Sequence, residues 1–133
     1  MNEEAVLELY GLDPDPAYRE PIRQLLKREI EHMAAEDHEL LRTLCVMLFC
    51  IGQVEDTHII WQAKQKNQDA ASYIDVQLLC GAGYQATVDY LERRGDPQAK
   101  QELKYLKECE PFDFIDFSKE EWVQGYKQYY GVT

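Results

Sequence analysis

Apolar residues recur at helical spacing in nearly every segment of this 133-residue chain, and strand-like alternation is almost absent. Ile22, Leu25, Leu26, Ile30 and Met33 mark one stripe, and Tyr84, Thr87, Val88 and Leu91 mark a second. Ala99, Leu103 and Leu106 make a third, while Trp122, Tyr126 and Tyr129 form an aromatic stripe near the C-terminus. Such stripes are buried by packing helix on helix, because a 3.6-residue period presents one apolar face and does not line a sheet. The punctuation agrees. Asp15-Pro16 and Asp96-Pro97 each set a capping carboxylate before a proline already fixed at helical φ. Ser118-Lys119-Glu120-Glu121 is a capping-box pattern, Ser72-Tyr73-Ile74-Asp75 a weaker one, and Gly52, Gly83 and Gly95 are candidate helix ends. The expected helices lie near 3–10, 16–34, 37–51, 54–67, 73–81, 84–94, 97–109 and 119–130.

Short helices with short connections bring sequential neighbours together as antiparallel pairs. The expected fold is therefore all-α, either an irregular helical bundle or a short α-solenoid, in one domain spanning 1–133. No repeat at a fixed period separates these two architectures. Apolar residues are 45% of the chain, enough at this length for a core of its own. The segment 40–51 is apolar nearly all round and is the candidate central helix.

Twenty-five acidic side chains against 14 basic ones give a formal charge of −11. That field repels nucleic-acid phosphates and anionic lipid headgroups and attracts a basic protein, so the expected partner is another protein rather than nucleic acid or membrane. Residues 1–8 are acidic and lack the basic start and apolar run of a secretory signal, which points to the cytoplasm. The longest apolar stretch, 44–51, is far short of the ~20 residues a spanning helix needs. Cys45, Cys50, Cys80 and Cys109 form none of the close pairs of structural zinc sites, and free buried thiols are expected in a reducing compartment.

Two motifs bear on catalysis. Gly81-Ala82-Gly83-Tyr84-Gln85-Ala86 is a GxGxxA pattern after the apolar run Val76–Cys80, and read as strand, turn and helix it would cradle a phosphate or S-adenosylmethionine. Everything after Gly83 reads as helix, however, leaving no parallel strands for the sheet such a loop requires, so the tight turn of a helical hairpin is the simpler reading. Glu29-x-x-His32 and Glu55-x-x-His58 place a carboxylate and an imidazole on one helix face, as di-iron proteins do twice, but the further glutamates such a centre needs are not evident. Asp37-His38 has no positioned nucleophile to activate. The chain thus presents no catalytic set, cofactor loop or metal centre as its expected function.

Charge geography offers more. The stretch 29–61 holds Glu29, Glu31, Glu36, Asp37, Glu39, Glu55 and Asp56 against Arg42 alone. From 108 to 121 a second acidic stretch interleaves Asp113, Asp116, Glu120 and Glu121 with Phe112, Phe114 and Phe117, ending beside Trp122. Aromatic anchors rimmed by charge are typical of interface hot spots. The candidate partner-binding residues are Glu36, Asp37, Glu39, Glu55 and Asp56 in the first stretch, with Asp113, Phe114, Asp116, Glu120 and Trp122 in the second. Loop aromatics also dock onto their own core, which is the expectation for Phe112, Phe114 and Phe117 as a group.

Gly52-Gln53-Val54-Glu55-Asp56, Ile60-Trp61-Gln62-Ala63-Lys64 and Leu79-Cys80-Gly81 read as parts of one coherent block. In its general character, a small acidic helical domain, the chain resembles the immunity proteins that neutralise toxins in bacterial polymorphic and contact-dependent systems. The resemblance lies in overall character rather than in a motif. It implies tight binding over a toxin's active site or an adjacent exosite, often with acidic groups facing a basic nuclease. The competing readings are a helical adaptor whose grooves hold peptides, and an enzyme built on the glycine or ExxH motifs.

Overall fold

A computed structural model describes residues 2–32 and 38–132. Among these residues it contains eight α-helices and no strand: α1 (Glu3–Tyr10), α2 (Arg19–Glu31), α3 (Glu39–Ile51), α4 (Thr57–Lys64), α5 (Gln68–Tyr73), α6 (Tyr84–Arg94), α7 (Pro97–Asp113) and α8 (Lys119–Tyr130). The fold is all-α. Short 3₁₀ turns at Pro16–Tyr18 and Val54–Asp56 lead into α2 and α4, and a longer one, Val76–Cys80, joins α5 to α6. None of the helices is long and apolar enough to cross a membrane.

Three of the expected N-caps are in place, whereas Ser72 lies inside α5. Asp15 and Asp96 accept from the backbone N–H groups of Ala17 and Ala99, both at 2.8 Å, and Ser118 accepts from Glu121 N at 3.3 Å. Helices α3 and α6 stop at Gly52 and Gly95. The core is organised around α3, whose Leu41 and every residue from Thr43 to Cys50 are buried. Ile22 and Leu26 of α2, Val6 of α1, Ile59, Ile60 and Ala63 of α4, and Leu78 to Cys80 of the 3₁₀ turn belong to the same buried cluster. A central helix wrapped by α1, α2, α4 and a 3₁₀ turn, with α6 packed on α7, is the plan of a helical bundle.

Three boundaries differ from the sequence expectation. In place of a helix over 73–81, α5 begins earlier, where Asn67 accepts from Ala70 N at 2.8 Å, and the chain then extends at Ile74 before tightening into the 3₁₀ turn. The buried ammonium of Lys64 donates to the carbonyls of Ala71 and Ile74, satisfying groups that a broken helix end leaves open. Burial lowers the Lys64 pKa. The segment expected as one helix over 54–67 opens as a 3₁₀ turn and ends at Lys64. Finally, α7 runs past residue 109 to Asp113 with Pro111 inside it, the proline removing one donor without stopping the last turn. The expected helix end at 34 and start at 37 lie outside the described residues.

Candidate protein-interaction surface

The first acidic stretch does not form a continuous acidic face. Asp56 is a correction: its side chain is 1% exposed and closes the N-terminal end of α4 against α2. Arg19 grips it with Nε to Oδ2 at 2.8 Å and Nη2 to Oδ1 at 3.0 Å, and Arg23 Nη1 donates to the same Oδ1. Two guanidiniums on one buried carboxylate hold the fold together and leave it nothing to offer a partner. Glu39, in the first turn of α3, is 17% exposed and lies 3.3 Å from Arg42 Nη2. It accepts from the hydroxyl of Tyr73 and, at 3.4 Å, from that of Tyr129. The Arg42 guanidinium lies over both rings, 4.1 Å from the Tyr73 centroid and 4.5 Å from that of Tyr129. Glu39 is thus taken up in an internal cluster, another departure from the expected acidic face. Glu55 stays exposed, while Glu36 and Asp37 lie outside the described residues.

The second stretch behaves differently. Asp113, Asp116, Glu120 and Glu121 are all exposed, as are Glu108 and Glu110 on the last turns of α7. Asp116 takes a left-handed φ of 56°, which turns the chain from α7 toward α8. At this corner Phe112 is 81% and Ile115 67% exposed. Phe114 and Phe117 turn inward instead. Phe114 sits 5.0 Å from the Tyr84 ring and 5.4 Å from Phe117, which packs 6.4 Å from Phe49 of the central helix. Phe114 therefore anchors the corner to its own core, correcting its assignment as a partner anchor and agreeing with the self-docking expectation for 114 and 117. Phe112 departs from that expectation.

The signal for Phe112 is present in the sequence once α7 is carried through Pro111. Lys104, Glu108 and Phe112 are then spaced by four on one face, and the first two are exposed. Ending the helix at 109 hides this. Trp122 is half-buried, with its ring 6.3 Å from Phe117 and 5.9 Å from Tyr126, so it continues the aromatic row along α8.

The glycine motif has a structural role here. Gly81 packs so closely on α3 that a Cβ would fall 2.6 Å from the Phe49 carbonyl oxygen, and Gly83 takes a φ of 101° to open α6. A 3₁₀ turn, not a strand, precedes them. Lys66 Nζ donates to the carbonyls of Glu29 and His32 at 2.8 and 3.0 Å, and the His58 ring faces Gln62. No three His, Cys, Asp or Glu side chains gather as a metal set among the described residues. Cys45, Cys50 and Cys80 are buried free thiols, with the last two pushed up to about 12 by burial, far from the thiolate a nucleophile needs.

These features define an all-α bundle with an apolar corner set among carboxylates. No protein-family model, curated protein or solved structure matches the chain.

Proposed function

We propose that this chain is a protein-binding domain that engages a basic partner through the α7–α8 corner, acting as a cytoplasmic inhibitor of the kind that immunity proteins provide against toxins. The observation that carries the reading is the exposed pair Phe112 and Ile115, flanked in sequence by the exposed Glu108, Glu110, Asp113, Asp116 and Glu120. Large apolar side chains held in water gain most when a partner covers them, and the surrounding carboxylates set approach rate and specificity. Binding rather than catalysis is favoured by the structural roles of the glycine motif and by thiols kept protonated through burial. The net charge of −11 favours a basic protein over nucleic acid.

The test is affinity capture from the native organism with the wild-type chain and with Phe112→Ala/Ile115→Ala in parallel, followed by association kinetics on the captured partner at several salt concentrations. A basic protein retained only by the wild type, with association that slows as salt rises over the ~8 Å screening length of physiological buffer, supports the reading. Unchanged capture by the double variant together with salt-independent association rejects it.

A further inference from the structure

Beside the corner, α8 forms one wall of an open pocket of about 410 Å³. Trp122 and the exposed Tyr129 supply aromatic surface, the buried Tyr126 lies behind them, Arg42 and Asp75 line it from the other elements, and Glu121 and Gly125 complete the α8 side. The Tyr126 hydroxyl donates to Asp75 Oδ2 at 2.5 Å, fixing that carboxylate in place. Among the described residues Arg42 is the only cation in the lining, and it is held between the Tyr73 and Tyr129 rings with Glu39 beside it. Asp75 and Glu121 leave the pocket with an excess of negative charge.

Gly125 sharpens the picture. A glycine inside a helix weakens it relative to alanine, and such a residue usually answers to a neighbour that needs the space. Here a Cβ would meet nothing within 4 Å. What the missing side chain does leave is room in the pocket wall.

We propose that this pocket receives an arginine side chain of the basic partner, the planar guanidinium stacking on the half-buried Trp122 ring while Asp75 and Glu121 take its N–H groups. The proposal rests on the protein-binding reading for the source of the arginine, not for the chemistry of the pocket. Aromatic faces with nearby carboxylates bind guanidinium through cation–π attraction and charge-assisted hydrogen bonds. The molecule contains its own precedent in Arg42, held by two tyrosine rings and a glutamate. Trp122 also connects the pocket with the corner, its ring lying 6.3 Å from that of Phe117.

The experiment titrates the whole chain with N-acetyl-arginine amide, N-acetyl-lysine amide and neutral N-acetyl-norleucine amide, read by calorimetry and tryptophan fluorescence. Trp61 is buried against Tyr105, and the half-buried Trp122 is the more accessible reporter. The arginine probe should bind saturably and at least tenfold more tightly than the neutral one. Gly125→Leu, which suits the helix and fills the open space, should fold normally and weaken the arginine probe by tenfold or more, and Glu121→Gln should weaken it several-fold. Equal binding of the neutral probe, a tighter lysine probe, no saturable binding, or an unaffected Gly125→Leu variant would each overturn the assignment. The probes need no partner, so their failure removes the pocket and leaves the corner standing. Arginine-probe binding in a chain that captures no basic protein removes the partner and keeps the pocket.

Discussion

The two acidic stretches have similar compositions and opposite fates. Around α3 and α4, Asp56 is drawn inward because Arg19 and Arg23 of α2 meet it there, and Glu39 is held by Arg42, one turn along its own helix, with Tyr73. At the α7–α8 corner, Asp113, Asp116, Glu120 and Glu121 form no ion pair among the described residues and stay in water. A carboxylate becomes structural when the fold delivers enough donors to offset its desolvation, and otherwise remains on the surface. Local charge counts in the sequence do not carry that information, since Arg19 and Asp56 are 37 residues apart.

The largest effect expected from this contrast is on stability. Asp56→Ala strips Arg19 and Arg23 of a shared buried partner and should cost about 3 kcal/mol, the lower end for breaking a buried pair because both arginines keep some contact with water. Urea unfolding of the variant reads this directly. A loss below ~1 kcal/mol would mean that Asp56 is no more structural than the corner carboxylates.

Glu102 sharpens the comparison as a buried acid that forms no ion pair among the described residues. It is 0% exposed and, among the described residues, accepts only from the Thr57 hydroxyl and leaves Oε1 without a partner. Desolvation raises its pKa from 4.5 to about 8. A carboxyl whose folded pKa lies above its unfolded value contributes stability that is complete below the unfolded pKa and lost as pH rises through the folded one. Stability should therefore decline between pH 4.5 and about 8 through this group. Glu102→Gln keeps an acceptor for Thr57 and has no proton to lose, so it should flatten that decline and stabilise the protein at pH 7 by on the order of 3 kcal/mol. Unfolding of both proteins from pH 4.5 to 8.5 gives the comparison, and parallel curves would show that Glu102 ionises without cost.

The contrast also explains what the sequence reveals. Helices α1, α6 and α8 match the expected ranges because each is governed by local information: a cap, a stripe, a terminating glycine. The central position of α3 is legible for a similar reason, as a segment apolar all round has no solvent face. The break at Ile74 is not, because it depends on the Lys64 ammonium reaching two carbonyls from another helix. The same holds for the candidate surface. The corner's carboxylates are visible in the sequence, but which aromatic faces water depends on whether α7 survives Pro111, and carrying the helix through it changes the exposed anchor from Phe114 to Phe112.

The smallest effect is expected where function is proposed. Replacing Asp113, Asp116 and Glu120 by their amides removes three negative charges from a corner that also carries Glu108, Glu110 and Glu121. Exposed side chains that form no ion pair among the described residues have little to lose on substitution, the 3.2 Å bond from Ser118 Oγ to Glu120 can be kept by an amide oxygen, and relief of like-charge repulsion works in the opposite direction. The triple variant should therefore unfold within ~0.5 kcal/mol of the wild type, or slightly later in denaturant. Phe112→Ala should be as neutral, since a side chain 81% exposed contributes little buried area. Residues that can be changed without cost to the fold, in a place where solvent contact is unfavourable for the groups present, are those a binding surface would retain. If the triple variant lost ~2 kcal/mol or more, the corner carboxylates would be structural like Asp56, and the difference between the two stretches would collapse.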